Sequence, residues 1–303
     1  MSKVAFLFPG QGAQTVGMCR ELDSELPAVR ELFDRAGEIL GYDLRTLCFE
    51  GPAEALEATD VSQPAIFVAS LAALESLKAT DPTVLQACQG AAGLSLGEYT
   101  SLVFAGAMDF DSGLEVVRRR GQAMQSASLA TPSGMASVLG LHQAGADELC
   151  RRVASIGRLW TANMLGPGNI VVSGEAAALA AVESVATELG AMKVVPLSVA
   201  GAFHCDLMRP ADLELAEILA RTPIKQPRIP VYSNVDARPH NDPNDIRRTL
   251  VAQVVQGVRW EESMRCMISD GFDTYYEIGP GRVLTGLLKR IERKTPCTNV
   301  PAR

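Results

Sequence analysis

The segment Gly93-Leu94-Ser95-Leu96-Gly97 places one serine between two glycines at the spacing of the GxSxG motif. In that motif a sharp turn between a strand and a helix lifts the serine hydroxyl clear of the sheet, and the glycines let the backbone pass. The amide of Leu96 and the start of the helix then face any oxyanion that forms at the serine. A plain glycine-rich turn gives the same five residues. The motif alone therefore makes Ser95 a candidate nucleophile and leaves both interpretations open.

A serine nucleophile needs a general base, and the chain contains three histidines. His142 lies in the polar start of a predicted helix, and His240 lies in a polar loop rich in proline and asparagine. His204 follows the apolar segment 199–203 and is by elimination the better base, although a buried structural histidine is the alternative. Cys205 is adjacent to His204, but neighbouring side chains of an extended segment point in opposite directions. A Cys/His pair is therefore not expected.

A third candidate is an anion-binding arginine in the predicted helix around residues 114–124. Helical spacing places Arg120 on one face with Val116, Val117 and Met124. Arg118 and Arg119 fall on the other face and are predicted to be solvated. A guanidinium among apolar side chains needs a carboxylate partner. The residues leave open whether that partner is an internal ion pair or a ligand.

A fourth candidate is the turn around Gln11, which follows the predicted strand Val4–Phe8. Gly10 and Gly12 flank the glutamine, so the turn can present the Gln11 backbone amide to a ligand. A bare tight turn is the alternative interpretation.

The elements that must position these residues alternate between strands and helices, which favours an α/β layered fold with a mostly parallel sheet. Apolar runs and their periodicity predict strands at Val4–Phe8, Leu85–Ala92, Ile229–Ser233 and Tyr275–Ile278, and helices at Ser62–Lys78, Leu96–Ala105 and from about Arg282.

The rhythm changes between residues 128 and 198, where the pattern becomes βαββαβ, the split ferredoxin-like arrangement. The predicted strands are Met135–Leu141, Leu159–Asn163, Asn169–Ser173 and Met192–Leu197, and the helices are Ala144–Ala154 and Ala176–Leu189. Both ends of such a unit return to one place. We therefore predict a small domain at 128–198 inserted into a large domain formed by 1–127 and 199–303.

Composition narrows the function classes. The chain has 303 residues and a net charge of −7, which gives no support to nucleic-acid binding. Its seven cysteines include no CxxC pair, so no metal site is predicted and reduced thiols in the cytoplasm are expected. No apolar run is long enough for a membrane span. The cytoplasm is the expected location, or a plastid or mitochondrial matrix if a leader has been removed.

Taken together, the motifs resemble those of the malonyl-CoA:acyl carrier protein transacylases of type II fatty acid synthesis, nearly from end to end. They are Phe8-Pro9-Gly10-Gln11-Gly12-Ala13-Gln14, Gln63-Pro64-Ala65, the GxSxG segment with Glu98-Tyr99, Arg120-Gly121 with Met124-Gln125, Ala162-Asn163 with Pro167-Gly168, Gly201-Ala202-Phe203-His204 with Met208, Ser233-Asn234-Val235-Asp236, Gln253 with Val258-Arg259-Trp260, and Glu277-Ile278-Gly279-Pro280-Gly281.

The resemblance implies an α/β-hydrolase-like large domain with an inserted ferredoxin-like small domain. It implies that Ser95 is the nucleophile, that His204 is its base, and that a main-chain carbonyl at Gln253 orients His204. It further implies an oxyanion hole formed by the amides of Gln11 and Leu96. The substrate-binding residues it implies are Arg120, which holds the malonyl carboxylate, together with Met124, Asn163 and Phe203. One departure is Leu94, where many members carry histidine.

The implied reaction is a ping-pong transfer from malonyl-CoA to an acyl carrier protein, with no cofactor. An acidic carrier suggests docking on basic residues, and Lys289 and Arg290 in the C-terminal helix are the candidates. A solvated helix end is the alternative. A monomer is expected. The alternative functions are a related transacylase of polyketide or malonate decarboxylase systems and a serine acyl hydrolase.

Overall fold

The computed structural model describes residues 2–303, which form two β-sheets and the helices that pack against them. The strands are β1 Val4–Phe8, β2 Cys88–Gly93, β3 Ser133–Leu139, β4 Leu159–Gly166, β5 Asn169–Glu175, β6 Lys193–Pro196, β7 Val231–Tyr232, β8 Pro239–His240, β9 Thr274–Gly279 and β10 Cys297–Pro301. The helices are α1 Arg20–Glu25, α2 Pro27–Leu40, α3 Leu44–Glu50, α4 Ala53–Glu57, α5 Thr59–Thr80, α6 Pro82–Ala87, α7 Leu96–Phe104, α8 Phe110–Ala130, α9 Gln143–Val153, α10 Ala176–Glu188, α11 Arg209–Arg221, α12 Pro243–Val255, α13 Trp260–Ser269 and α14 Val283–Ile291.

The larger sheet has six strands in the order β10-β9-β1-β2-β7-β8. Its neighbouring strands are parallel except for β7 and β8, which pair antiparallel. Every residue of β1 is buried, and alternation along the strand sends Phe6 and Phe8 to one apolar cluster and Ala5 and Leu7 to another. Helices therefore cover both faces, which explains why β1 is continuously apolar.

Four adjacent parallel strands of this sheet end at the same edge. The chain leaves β1 towards Gln11, β2 towards Ser95, β7 towards Asn234 and β9 towards Val283. Ligands of open α/β sheets bind beyond the carboxyl ends of the strands, because the loops there converge. The sheet therefore brings segments that are far apart in sequence to one place.

The smaller sheet has four antiparallel strands in the order β4-β5-β3-β6, the order of a ferredoxin-like βαββαβ unit. Helices α9 and α10 pack on one face, where Val138, Leu149, Val172 and Val182 form a separate apolar cluster. The predicted α/β fold with a mostly parallel sheet and a ferredoxin-like unit is confirmed. The domain limits at residues 127/128 and 198/199 stay a prediction.

One predicted strand was wrong in its first half. Residues 85–87 belong to α6, because Pro82 opens that helix and the Asp81 side chain caps it by accepting from the Val84 amide. The strand is β2, which begins at Cys88. The predicted strand at Ile229–Ser233 is shorter, at Val231–Tyr232, and β10 was not predicted. Among residues 2–303, no helix has the length and apolar character that a membrane crossing requires.

Candidate active site

Ser95 occupies the turn between β2 and α7 with φ 52° and ψ −101°, a conformation that is strained for a residue other than glycine. The flanking glycines are required by close contacts. A Cβ on Gly93 would lie 1.9 Å from the carbonyl carbon of Gly97, and one on Gly97 would lie 2.1 Å from the carbonyl oxygen of Phe8. The GxSxG segment therefore has the geometry of a nucleophile elbow and not of an ordinary turn.

The His204 ring lies between a serine and a carbonyl. Its Nε2 is 2.8 Å from Ser95 Oγ, and its Nδ1 is 2.7 Å from the main-chain oxygen of Gln253. Because a carbonyl only accepts hydrogen bonds, Nδ1 carries the proton and Nε2 is free to accept from the Ser95 hydroxyl. Burial, reinforced by the Arg120 charge, lowers the His204 pKa to about 4. The imidazole is therefore neutral at neutral pH.

Arg120 is 2% exposed, and its terminal nitrogens contact three uncharged oxygens. One donates to Gln63 Oε1 at 2.6 Å, and the other donates to Gln253 Oε1 and to Ser95 Oγ, each at 3.0 Å. Within residues 2–303 no carboxylate pairs with this guanidinium, so the internal ion pair considered above is absent. Burial lowers the Arg120 pKa. A buried cation without an anionic partner is prepared to receive one from a ligand.

The position of Arg120 depends on the close packing of α8 against α5. A Cβ on Gly121 would lie 3.0 Å from the Thr59 carbonyl oxygen at the start of α5, so any larger residue would push the two helices apart by a few tenths of an ångström. Gln125 of α8 also accepts from the Thr59 amide at 3.1 Å. These contacts align Gln63 of α5 with Arg120, and Gln63 Nε2 donates to the sulfur of Met124.

A cavity of about 220 Å³ opens in front of Ser95. The residues predicted from sequence that line it are Gln11, Ser95, Leu96, Arg120, Met124, Asn163, Phe203 and His204. Leu96 is the first residue of α7, so its amide has no carbonyl partner within the helix. Gln253 lies behind this layer, fully buried, and contacts Ser95, Arg120 and His204. The structure thus brings all the predicted catalytic and substrate-binding residues together.

Three buried polar residues around this cluster received no role from sequence. Gln63 holds Arg120, and Asn234 Oδ1 accepts from the Ser95 amide at 2.6 Å. Glu98 accepts from Asn234 and Gln253. All three stand inside the motifs listed above, next to apolar residues. Because buried polar side chains need hydrogen-bond partners, that position could have indicated a role in the site.

The other candidates lie elsewhere. Lys289 and Arg290 are exposed in the last turn of α14, outside the cavity. His240 contacts Asp236, and His142 precedes α9. The Cys205 thiol donates to the Ala202 carbonyl and contributes nothing to the Ser95 site. All seven cysteines are free, and no group of three or more potential metal ligands is found in the part of the chain that the structure describes.

Comparisons with known proteins agree with this geometry. A family model described as an acyl transferase domain matches residues 5–301. The malonyl CoA-acyl carrier protein transacylase of Bacillus subtilis is 43% identical over 295 residues, which cover 97% of this chain and 92% of that protein. The solved transacylase of Coxiella burnetii superposes with a TM-score of 0.94 at 37% identity, over 99% of this chain and 94% of that one.

A further solved structure is a malonyl transacylase in complex with its type II polyketide synthase acyl carrier protein. It gives a TM-score of 0.93 at 37% identity and covers 99% of this chain and 96% of that one. The chain therefore belongs to the acyl transferase family and, within it, to the malonyl-CoA:acyl carrier protein transacylases that its motifs predict.

Proposed function

We propose that this enzyme transfers the malonyl group of malonyl-CoA to the phosphopantetheine thiol of an acyl carrier protein, through an ester on Ser95, in fatty acid biosynthesis. One observation carries the proposal: Ser95 Oγ contacts both His204 Nε2, at 2.8 Å, and the buried Arg120 guanidinium, at 3.0 Å. The nucleophilic oxygen of Ser95 therefore contacts both its general base and the group that can bind a carboxylate. The names of the related proteins support the same donor and acceptor.

In the first half-reaction Ser95 Oγ attacks the thioester carbonyl while His204 Nε2 takes the hydroxyl proton. The negative charge that develops on the carbonyl oxygen is stabilised by the amides of Gln11 and Leu96. The C–S bond then breaks, and His204 returns the proton to the coenzyme A sulfur. The Gln253 carbonyl keeps the imidazole in the tautomer that this transfer requires.

The second half-reaction reverses these steps with a different thiol. The carrier thiol gives its proton to His204, its sulfur attacks the malonyl ester, and the C–O bond to Ser95 breaks. Ser95 recovers the proton from His204. Each half-reaction exchanges one acyl group for one proton, so the chemistry is balanced and redox-neutral.

Arg120 sets the preference for a substrate with a free carboxylate. The malonyl carboxylate can accept two parallel hydrogen bonds from the guanidinium, which otherwise faces neutral oxygens. An acetyl group would leave the buried charge unpaired. Phe203 and Met124 form apolar walls near Arg120, and we assign Phe203 to crowding of an α-methyl group. Asn163 lies on the wall formed by the smaller sheet.

The test is mass spectrometry of the intact protein after incubation with malonyl-, methylmalonyl- and acetyl-CoA in competition. One malonyl group on the wild-type protein and none on Ser95→Ala is expected. The persistence of the ester separates this function from a serine acyl hydrolase. Rapid release of free malonate without carrier, or equal labelling by acetyl-CoA, would contradict the proposal.

For the carrier protein we propose docking on Lys289 and Arg290. These exposed cations end α14, and Val283 at the start of the same helix lines the cavity. The basic residues therefore lie about 10 Å along the helix from the mouth of the site. Acidic carriers are attracted to such a patch, and the attraction is screened by salt.

Charge reversal of Lys289 and Arg290 to glutamate tests the docking surface. We expect a higher KM for the carrier and an unchanged rate of acylation by malonyl-CoA. The matched control reverses Arg151 and Arg152, two neighbouring exposed cations that end α9. Equal effects on both half-reactions, or the same rise in KM in the control, would argue against docking on α14.

A transacylase that serves polyketide assembly is the second candidate, because one of the similar structures holds a polyketide carrier. The active-site chemistry would be the same, so the carrier decides. Transfer from the malonyl-enzyme to a fatty acid carrier and to a polyketide carrier should be measured in competition. Preference for the polyketide carrier would show that the enzyme serves polyketide assembly and not fatty acid biosynthesis, while the malonyl transfer itself would stand.

We further propose that the enzyme acts as a monomer in the cytoplasm, or in a plastid or mitochondrial matrix if a leader is removed. Light scattering of the purified protein tests the monomer, with a dimer mass as the contrary result. Fractionation of the source cells tests the location.

A further inference from the structure

Glu98 is a buried carboxyl group that the reaction described above does not use. It lies in the first turn of α7, directly behind Ser95, and it is 3% exposed. Its Oε2 accepts from the Gln253 side chain at 2.7 Å and from the Asn234 backbone amide at 3.0 Å. No ion pair to Glu98 is found within residues 2–303. Both of these donors, Gln253 and Asn234, belong to the active-site cluster.

Gln253 connects Glu98 to Arg120 through the two ends of one amide. Its Nε2 donates to Glu98 and to the Ser95 carbonyl oxygen, and its Oε1 accepts from Arg120 at 3.0 Å. An amide has one donor end and one acceptor end, so a flip would point N–H groups at the guanidinium. An ionised carboxylate only accepts hydrogen bonds, and Glu98 in that state holds the amide in the orientation that serves Arg120.

Asn234 connects the same carboxylate to the strained turn. Its backbone amide donates to Glu98, its Oδ1 accepts from the Ser95 amide, and its Nδ2 donates to the Gly93 carbonyl at 2.8 Å. Strained backbone persists only where the surrounding structure holds it in place. Glu98 thus supports both the Ser95 turn and the Gln253 amide.

We propose that Glu98 is a positioning residue of the acyl transfer: its ionised carboxylate fixes Gln253 and Asn234, and through them Arg120 and the Ser95 turn. The proposal rests on the proposed malonyl transfer. Glu98 reaches neither the substrate nor the reacting atoms, and its effect passes through hydrogen bonds that depend on its charge state.

The electrostatics give this role a measurable signature. Burial raises the Glu98 pKa to about 7, although the hydrogen bonds from Asn234, Gln253 and Ser233 and the charge of Arg120 act in the opposite direction. Two further titratable groups belong to this cluster: Tyr99 of the same helix, and His204, which contacts the Gln253 carbonyl and whose pKa of about 4 lies well below this range. As the pH falls through about 7, Glu98 takes up a proton and one oxygen becomes a donor. Gln253 then loses its fixed acceptor, and acylation by malonyl-CoA should slow.

The first test compares Glu98→Gln with Glu277→Gln. Glu277 is also buried without an ion pair in the described chain, but its carboxylate accepts from Leu284 and Thr285 at the start of α14, apart from Ser95. Single-turnover acylation by malonyl-CoA is measured against pH. In Glu98→Gln the rate at alkaline pH should fall about tenfold to a hundredfold, and the inflection near neutral pH should vanish. Glu277→Gln should keep both.

An unchanged rate and inflection in Glu98→Gln would overturn the proposal, as would equal losses in the two variants. If Glu98→Gln does not fold, Gln253→Leu carries the test, because it removes the amide that Glu98 orients and leaves Glu98 in place. The inflection should disappear there too, and its persistence would refute the role.

A readout independent of activity separates this inference from the proposed function. In protein labelled with ¹⁵N-glutamine, the Gln253 side-chain signals are assigned by their loss in Gln253→Leu. They should titrate near neutral pH in the wild type and not in Glu98→Gln. A wild type that accepts no malonyl group but shows this titration would refute the proposed function alone. A Gln253 signal that does not respond to pH would refute the role of Glu98.

Discussion

The two sheets meet at one cavity but contribute different kinds of groups to it. The six-stranded sheet and its helices supply Ser95, His204, Arg120 and Gln253, all linked by hydrogen bonds. The four-stranded sheet supplies mainly apolar wall residues, with Asn163 as its polar side chain there. The nucleophile thus comes from the carboxyl edge of the parallel sheet, its partners come from helices and a loop packed beside that edge, and the second sheet closes the pocket. Changes at Ser95 and His204 should act on kcat, and changes in the second region should act on KM.

The largest effect is expected at the nucleophile. Ser95→Ala removes the atom that accepts the acyl group, so malonyl transfer should fall by roughly 10⁴-fold to 10⁶-fold. The control is Ser137→Ala on β3, which removes a hydroxyl from the four-stranded sheet that donates to Asn169. Its transfer rate should stay near that of the wild type. Pre-steady-state labelling with malonyl-CoA measures the acyl group on each variant. A malonyl group on Ser95→Ala would show that Ser95 is not the acceptor.

Part of the site could be predicted from local sequence. Ser95, His204 and Arg120 stand out locally: a serine between two glycines, a histidine after an apolar segment, an arginine on an apolar helix face. Glu98, Asn234 and Gln63 do not, because their roles arise from partners far away in sequence. Asn234, for example, reaches the Ser95 amide across 139 positions of sequence.

The fold divides in the same way. The strand β1 and the βαββαβ unit were predicted because their apolar periodicity is local. The edge strand β10 was missed because it carries one strong apolar residue, Val300, and owes its conformation to pairing with β9. Residues 85–87 were assigned to a strand because their apolar character is ambiguous over so short a length. In the structure, the Asp81 cap and Pro82 at the first helical position stabilise a helix there.

The next effect is expected at the buried cation. Arg120→Ala removes the partner of the malonyl carboxylate, so malonyl transfer should fall about a hundredfold to a thousandfold. Acetyl transfer should rise, because no buried charge is then left unpaired. Arg119→Ala is the matched control, since Arg119 is exposed on the opposite face of the same helix. Competition between malonyl- and acetyl-CoA measures both. If Arg120→Ala kept the wild-type preference for malonyl-CoA over acetyl-CoA, Arg120 would not be the residue that selects the carboxylate.

A smaller effect is expected on stability as a function of pH. The His204 pKa is lowered to about 4 in the folded chain from an ordinary value of 6.5. Between these values the unfolded chain binds more protons, so stability is lost as the pH falls from about 6.5 towards 4. From about pH 7 to about pH 5 this group should cost the wild type roughly 2 kcal/mol.

Urea unfolding of the wild type and of His204→Gln at both pH values isolates the contribution, because the other titrating groups are shared. Asn169→Ala in the four-stranded sheet is the control and should lose as much stability on acidification as the wild type. The same acid response in His204→Gln as in the wild type would show that the imidazole is not buried in its neutral form.

The smallest effect is expected from the wall of the pocket. Asn163→Ala removes a side chain of the four-stranded sheet that faces the cavity, so the KM for malonyl-CoA should rise a few-fold, about 1 kcal/mol, while kcat stays near the wild-type value. Asn169→Ala, in the same sheet but outside the cavity, should leave KM unchanged. Steady-state kinetics of both variants measures the difference. A loss of kcat in Asn163→Ala equal to its loss of kcat/KM would place Asn163 with the reacting groups, because that pattern marks an interaction made only in the transition state.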